Sequence, residues 1–141
     1  MFKIALDAGH GMYTAGKRCL KAIDPNETRE WWLNNRICKK IQQNLTAYEG
    51  YEILRVDDPT GKTDVPLITR TRKANEWRAD FYLSIHANAH DPKTIGPNGG
   101  KGGGIVTIIY TKASQKSKDY QKLIYNELIK ETGLKGNRSD P

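Results

Sequence analysis

The sequence predicts an α/β fold: a single domain over residues 1–141 with a mostly parallel, twisted sheet and helices on both faces. Short apolar runs alternate along the chain with longer amphipathic segments, the order typical of parallel strands joined by helices. A chain of 141 residues suits one domain. Its hydrophobic content of 37% is sufficient for an ordinary core.

The first predicted strand covers residues 2–6 and runs into a glycine-rich loop, Gly9-His10-Gly11. Residues 24–27, Asp-Pro-Asn-Glu, predict a helix start, because Asp caps, Pro suits the first helical position and Glu completes a capping box. We expect this helix to continue to about Ala47. Its predicted core stripe has four members spaced by four residues: Leu33, Ile37, Ile41 and Leu45.

A second predicted strand covers residues 51–56 and ends in a turn over residues 57–61. Asp64 is the predicted cap of a second helix that extends to about Arg78. A third strand follows at residues 80–85 and ends directly before His86.

Residues 96–104 contain many glycines and predict a surface loop. A fourth strand is predicted at residues 105–110, followed by a helix from about Ser114 to Thr132 with Gly133 beyond its end. Its predicted stripe is Tyr120, Ile124 and Leu128.

The chain is basic, with 23 Lys and Arg against 16 Asp and Glu and a formal net charge of +7. Such an excess favours a polyanionic partner or surface. The basic residues are spread along the chain and do not interleave densely with aromatic residues, so we expect no nucleic-acid binding. A solvated basic surface explains the charge equally well.

The two cysteines, Cys19 and Cys38, are too few for a disulfide framework. Because Cys38 falls within a predicted helix, we expect it to be a buried free thiol.

No run of 18 apolar residues is present, so we expect no membrane span. The N-terminus enters a strand pattern directly, which predicts a chain made in the cytoplasm without a visible signal peptide, or one whose leader has been removed.

His10 and His86 each follow directly on a predicted strand. The carboxyl ends of parallel strands meet at one edge of a sheet, where α/β proteins place their sites. These two histidines are therefore a candidate metal pair. An ordinary hydrogen-bonded surface role remains the alternative for each of them.

Glu30 is the candidate third ligand, because its spacing from Leu33 and Asn34 places it on the core side of the first helix. A carboxylate there needs a partner to offset its desolvation, and a cation would supply one. Interaction with the helix dipole alone is the alternative explanation. Two His and one carboxylate leave an open position, which is the pattern of a catalytic zinc site.

Two other motifs do not support a site. Residues 61–63, Gly-Lys-Thr, resemble the end of a phosphate-binding loop, but the full pattern requires glycine where Val56 stands. His90 lies in a polar loop, and we expect it to be exposed.

Three blocks of the sequence resemble the signature blocks of the zinc-dependent N-acetylmuramoyl-L-alanine amidases, the amidase type 3 family of autolysins and phage endolysins. They are IALDAGHG at residues 4–11, EWWLN at 30–34 and SIHANA at 84–89. RTRKAN at residues 70–75 resembles the helix before the family's third strand. The blocks occur in the family's order and on the expected elements.

The resemblance implies that His10, Glu30 and His86 bind one Zn²⁺ per chain. It also implies hydrolysis of the amide between the lactyl group of N-acetylmuramic acid and L-alanine of peptidoglycan, with action at the bacterial cell wall. Asn88, in the third block, is a candidate substrate-binding residue. We expect a monomer that acts on peptidoglycan, and an anionic cell-wall polymer is a further candidate partner.

One element of the family's pattern has no match. The family's general-base glutamate lies on a late strand after the last predicted helix, and no residue up to Pro141 corresponds to it; Glu127 and Glu131 belong to that helix. We therefore expect no catalytic base within this chain, a C-terminal truncation that removes a strand and a helix, and impaired hydrolysis. A non-catalytic wall-binding module and a zinc peptidase acting on the stem peptide are the alternative functions.

Overall fold

The computed structural model of the protein describes residues 1–88 and 104–136. The chain falls into two compact units, Met1–Ala89 and His90–Pro141. None of the described helices combines the length and apolarity that crossing a membrane requires. The first unit contains β1 (Phe2–Ala8), α1 (Glu30–Leu45), β2 (Tyr51–Arg55), α2 (Leu67–Glu76) and β3 (Phe81–Ile85), and the second contains α3 (Gln115–Thr132).

The sheet of the first unit has three parallel strands in the order β2-β1-β3. The central strand, β1, pairs with both neighbours, so that Ile4 lies opposite Ile53 on one side and Phe81 on the other. The predicted α/β class and the parallel sheet are confirmed. This topology brings the ends of β1 and β3 side by side.

The two faces of β1 pack against different helices, because successive side chains of a strand point to opposite faces. On one face Leu6 and Ala8 form a buried cluster with Cys38 of α1. On the other face Ala5 packs in a second buried cluster with Ala74 of α2. The prediction of helices on both faces is therefore confirmed.

The predicted start of the first helix is wrong, because α1 begins at Glu30. The Asp24 carboxylate instead accepts a hydrogen bond from the backbone N–H of Thr28 at 2.9 Å. Such side-chain bonds offer the backbone a turn in place of a helix. Glu27 is not part of a capping box: its backbone is left-handed, with φ of +48°, and its carboxylate pairs with Arg18 Nε at 3.1 Å.

The predicted core stripe of α1 is wrong at Ile37, which is 49% exposed. A strict four-residue spacing drifts by about 40° per repeat around a helix of 3.6 residues per turn. Along the face of α1 that packs on the sheet, the buried residues are instead separated alternately by three and four positions. Its buried members include Trp31, Asn34 and Cys38.

The prediction that Asp64 caps the second helix is also wrong. Pro66 is the N-cap of α2, and no side-chain bond caps the helix. The Asp64 carboxylate accepts instead from the hydroxyl of Thr14 at 2.7 Å and from Arg70 Nη2 at 2.9 Å. Asp64 thus ties the loop after β1 to α2.

In the second unit, α3 confirms the predicted helix at residues 114–132. The Ser114 hydroxyl accepts from the backbone N–H of Ser117 at 3.2 Å, as a cap does. Gly133 ends the helix with φ of 63°, a left-handed conformation that glycine adopts without strain. Of the predicted stripe, Leu128 is 39% exposed.

The predicted strand at residues 105–110 is not formed among the described residues. Its residues alternate between exposed and partly buried, as in a strand. Two described hydrogen bonds of this segment do not join it to a strand: Ile105 N–H donates to the Lys135 carbonyl, and Gln121 donates to the Thr107 carbonyl. The predicted glycine-rich loop lies outside the described residues except for Gly104.

Both cysteines are free thiols: Cys38 is buried, as predicted, and Cys19 is exposed. Burial raises the pKa of Cys38 to about 12.

Because the thiolate is the reactive form, a disulfide reagent at pH 8 should modify one thiol of the native protein rapidly and the second only after denaturant is added. Two equally fast thiols in native protein would contradict the burial of Cys38.

Candidate metal centre

The structure brings together the three residues predicted as metal ligands. One potential ligand atom from each of His10, Glu30 and His86 lies within 4.8 Å of the other two. Glu30 Oε1 is 3.1 Å from His86 Nδ1 and 3.5 Å from His10 Nε2. The two imidazole rings stand nearly perpendicular, with centroids 4.9 Å apart.

His10 reaches the cluster through a strained turn directly after β1. Its φ is 68°, in the left-handed region that residues other than glycine rarely adopt. Two side chains hold this turn: Arg70 Nη2 donates to the His10 carbonyl at 3.0 Å, and Asn34 Nδ2 donates to the Gly9 carbonyl at 3.2 Å. Strain of this kind persists where the surrounding structure over-determines it, often at functional sites.

Glu30 is positioned by the start of α1, of which it is the first residue. Its backbone N–H donates to the Lys17 carbonyl at 3.1 Å. Its side chain is only 11% exposed. The backbone N–H of Ala87 donates to Glu30 Oε1 at 3.2 Å. This hydrogen bond orients the Glu30 carboxylate towards His86, the residue that precedes Ala87.

His86 follows β3, whose end is joined to the end of β1 by a bond from Gly9 N–H to the Ile85 carbonyl at 2.9 Å. Its ring lies against Gly9, and a Cβ at that position would overlap with ring atoms. The glycine is therefore required for the close approach of this imidazole. The His86 side chain is 43% exposed, so the cluster is open to solvent on this side.

The electrostatic setting of His10 favours the neutral imidazole that binds metals. Burial lowers the pKa of His10 below its ordinary value, and the positive charge of Lys17 and the neighbouring His86 act in the same direction. The carboxylates of Glu30 and Asp64 oppose this effect but do not reverse it.

The donor set and its spacing fit a zinc ion. Bonds of about 2.0–2.2 Å in a tetrahedral site place the ligand atoms about 3.3–3.5 Å apart. The separations of 3.1 and 3.5 Å from Glu30 Oε1 to the two histidines are close to this value, and all three potential ligand atoms lie within 4.8 Å of one another. Within residues 1–88 and 104–136, no fourth Cys, His, Asp or Glu joins the cluster, which leaves a coordination position open.

Comparison with known proteins identifies the family. The family model described as N-acetylmuramoyl-L-alanine amidase matches residues 4–141. The chain belongs to this amidase family. It is 34% identical over 130 residues to the sporulation-specific N-acetylmuramoyl-L-alanine amidase of Bacillus subtilis, and 32% identical over 133 residues to the endolysin of Bacillus phage SPP1. Each match covers 92% of this chain but 44% of the relative.

Solved structures of family members share the fold. An N-acetylmuramoyl-L-alanine amidase from Clostridium difficile 630 matches with a TM-score of 0.73 and 23% identity, over 96% of this chain and 67% of its own. The catalytic domain of CwlV from Bacillus (Paenibacillus) polymyxa var. colistinus matches with a TM-score of 0.70 and 19% identity, over 97% and 68%.

A buried network that was not predicted from the sequence supports the candidate metal centre. Asp7 and Arg70 form an ion pair whose side chains are each 4% exposed. The second carboxylate oxygen of Asp7 accepts from the Tyr82 hydroxyl at 2.9 Å and from the Ser84 hydroxyl at 3.0 Å. Burial raises the pKa of Tyr82, which keeps the phenol protonated and able to donate. An aspartate inside an otherwise apolar strand was the signal for this network, because a buried carboxylate requires partners.

Of two further residues considered in the sequence, Asn88 and His90, the structure describes only Asn88. Asn88 is exposed and lies two residues beyond His86 at the same edge of the sheet. Its role in substrate binding stays a prediction. His90, predicted to be exposed, lies outside the described residues.

Proposed function

We propose that this chain binds one Zn²⁺ through His10, Glu30 and His86 and hydrolyses the amide between N-acetylmuramic acid and L-alanine in bacterial peptidoglycan. The observation that carries the proposal is the convergence of these three side chains within 4.8 Å at one edge of the sheet. Membership of the amidase family supports it. The chain spans less than half of the length of the curated relatives it matches, 44% for the first two.

A zinc ion held by His10, Glu30 and His86 would supply Lewis-acid chemistry towards the carbonyl of the amide. The chain's own residues supply the setting. His10 and His86 offer imidazole nitrogens, and Glu30 offers a carboxylate held by the Ala87 N–H at 3.2 Å. The open side next to His86 gives a substrate access to the centre.

Proton transfer requires a further group. Within the described residues, Glu30 is the one carboxylate in the cluster. Its proposed role is that of a ligand, so it is not assigned as the general base. The expectation of a glutamate beyond Pro141, and of a truncated domain, stays a prediction.

The products of digestion test the proposal. Purified peptidoglycan incubated with the zinc-loaded chain should release peptides with new L-alanine amino termini, slowly, and His10→Ala should abolish the release. Because losing a general base costs about 10²- to 10⁴-fold, we expect a rate lower by this factor than that of the B. subtilis sporulation amidase assayed in parallel.

Three other results would contradict parts of the proposal. New amino termini within the stem peptide would indicate a zinc peptidase. Binding to insoluble wall without any release, unaffected by chelator or by His10→Ala, would indicate a non-catalytic module, a role that the net charge of +7 would also suit. A full rate of release would overturn the expected impairment.

The proposed site of action is the bacterial cell wall, with peptidoglycan as the partner. The +7 charge supports additional attraction to an anionic wall polymer. The monomeric state and cytoplasmic synthesis stay predictions.

A further inference from the structure

One side of α1 faces solvent and carries positive charge. At 3.6 residues per turn, an arc of about 100° of the helix contains three cations and one aromatic ring. All four side chains are exposed: Trp32, Arg36, Lys39 and Lys40. The single carboxylate of the helix, Glu30, lies outside this arc. The solvent side of α1 is therefore basic along three turns.

An open cavity of about 460 Å³ continues this surface beyond the start of the helix. Arg29 and Trp32 both line it, so that Trp32 belongs to the cavity and to the helix side at once. Arg36 Cζ lies 4.7 Å from the centroid of the Trp32 ring, which brings a cation of the helix up to the cavity wall. We call the combined surface the α1 basic face, and its members are Arg29, Trp32, Arg36, Lys39 and Lys40.

The cations of the α1 basic face have no acidic partners. In the part of the chain that the structure describes, none of them forms an ion pair. Exposed cations on the other two helices do form such pairs: Arg72 faces Glu76 at 4.0 Å, and Lys130 lies 3.4 Å from Glu127. The positive charge of α1 is thus left available to an external anion.

The carboxylate in the cavity wall does not neutralise Arg29. That carboxylate, Glu27, is already paired with Arg18 at 3.1 Å. Arg29 is partly buried, and its backbone is held by an antiparallel bridge to Arg18. A shielded guanidinium on a fixed backbone suits a two-point hydrogen bond to a phosphate group.

The spacing of the cations suits a polymer with separated negative charges. Arg36 and Lys40 are one turn apart, about 6 Å along the helix axis, and Arg29 precedes Arg36 by two turns, about 10 Å. Like charges four residues apart repel each other on a helix. A bound anion between Arg36 and Lys40 would remove this repulsion.

The aromatic content of the face argues against single-stranded nucleic acid as the ligand. Proteins that bind such strands stack successive bases on several exposed rings. The α1 basic face contains one ring, Trp32, and Arg36 covers one side of it. A flexible polyol phosphate has no bases to stack, and it requires only spaced cations and an apolar contact for its carbon chain.

We infer that the α1 basic face binds an anionic wall polymer of the poly(glycerol phosphate) class. Arg29 holds one phosphate in the cavity, and Arg36, Lys39 and Lys40 contact those that follow. The choice of a wall polymer rests on the proposed function, which has the protein act at the cell wall. Because the face shares no residue with the candidate metal centre, this binding requires neither zinc nor hydrolysis.

Titration of the full chain with soluble poly(glycerol phosphate) tests the inference. Calorimetry at several salt concentrations gives the affinity and its salt dependence. A single-stranded and a duplex DNA with the same number of phosphates are titrated in parallel. Each titration is repeated with a zinc chelator, which should leave the affinity for the polymer unchanged.

Three variants locate the binding. The face variant is Arg36→Gln, Lys39→Gln and Lys40→Gln combined. Its matched control on α3 is Lys118→Gln, Lys122→Gln and Lys130→Gln combined. Both remove three exposed positive charges, so the two differ in where the charge is lost and not in how much. Arg29→Gln tests the cavity by itself.

The native chain should bind the polymer more tightly than either DNA and lose affinity steeply with salt, because neutralised phosphates release their counter-ions. The face variant should bind about 10-fold more weakly, since each exposed charge contact contributes about 2- to 5-fold, and its salt dependence should be shallower. The α3 control should stay within about 2-fold of the native affinity. Arg29→Gln should weaken binding by about 10-fold, as expected for a charge-assisted bond.

A second measurement needs no variant. On addition of polymer, the indole N–H resonance of Trp32 should shift in NMR spectra of the native chain, and that of Trp31, which is 4% exposed, should shift less. A larger shift of Trp31 would contradict the assigned surface.

Equal losses in the face variant and the α3 control, or no loss in either, would show that net charge attracts the polymer and would overturn the inference. Native affinity in Arg29→Gln would overturn the assignment of a phosphate to the cavity. Tighter binding of either DNA would make the face a nucleic-acid surface instead, and failure of the native chain to bind the polymer would also overturn the inference. Each of these results leaves the proposed function intact, because that function is tested by zinc binding and by the release of L-alanine amino termini.

Discussion

Replacing His86 with alanine is expected to abolish tight zinc binding. The substitution removes one of three protein ligands and leaves Glu30 Oε1 without its partner at 3.1 Å. Changing a residue that only supports a metal ligand typically lowers metal affinity by roughly 10- to 100-fold. The loss of zinc affinity in His86→Ala should be larger. Competition with a chromogenic chelator measures the affinity, and metal analysis of the native chain should give about one zinc per chain.

The chain supplies a matched control in its third histidine. We expect His90→Ala to leave the zinc affinity unchanged, because the sequence places it in a polar loop and not at the end of a strand. Native affinity in His86→Ala would show that this histidine is not a ligand. Loss of affinity in His90→Ala would require a different ligand set.

Replacing Arg70 with methionine is expected to lower the free energy of unfolding by about 3–5 kcal/mol, the cost of leaving one partner of a buried ion pair unpaired. Asp7 and Arg70 are each 4% exposed, so water does not replace the lost partner easily. Denaturant unfolding followed by circular dichroism measures the change. The substitution also removes the bond to the His10 carbonyl, at 3.0 Å in the native structure, and should therefore weaken zinc binding.

Arg72→Met is the matched control on the same helix. The Arg72 side chain is 65% exposed and faces Glu76 at 4.0 Å. Exposed pairs of this kind contribute about 0–1 kcal/mol. If Arg70→Met and Arg72→Met changed stability by the same small amount, the buried network would not support the fold as described.

The sequence predicted the placement of His10 and His86 correctly for a simple reason. Both follow strands, and parallel strands that pair side by side end at the same edge. The pairing of β1 with β3 was not itself predictable from the alternating pattern, which does not specify strand order. The position of each histidine directly after a predicted strand was sufficient without it.

Glu30 illustrates what local patterns cannot resolve. The sequence predicted a helix from Asp24, with Glu30 inside its second turn; in the structure Glu30 is the first helical residue. The difference comes from Asp24, whose carboxylate bonds to Thr28 N–H and forms a turn. Aspartate favours both helix caps and turns, and tertiary contacts decide which of the two forms.

Arg70 shows a second limit. Its carboxylate partner Asp7 is distant in sequence, and only the fold brings the two together. The local spacing that identifies helices and caps contains no information on such a pair. The network around His10 therefore required the three-dimensional structure.

The pairing of β1 with β3 would also determine when the proposed metal could be bound. His10 and Glu30 are made early, but His86 joins them only after the chain has formed two crossovers and placed β3 beside β1. A growing chain that ends before β3 presents two of the three ligands. With the proposed ligand set, zinc would find all three ligands only on a sheet that has already assembled. Its binding would then shift the folding equilibrium towards that sheet, by an amount that depends on the free zinc concentration.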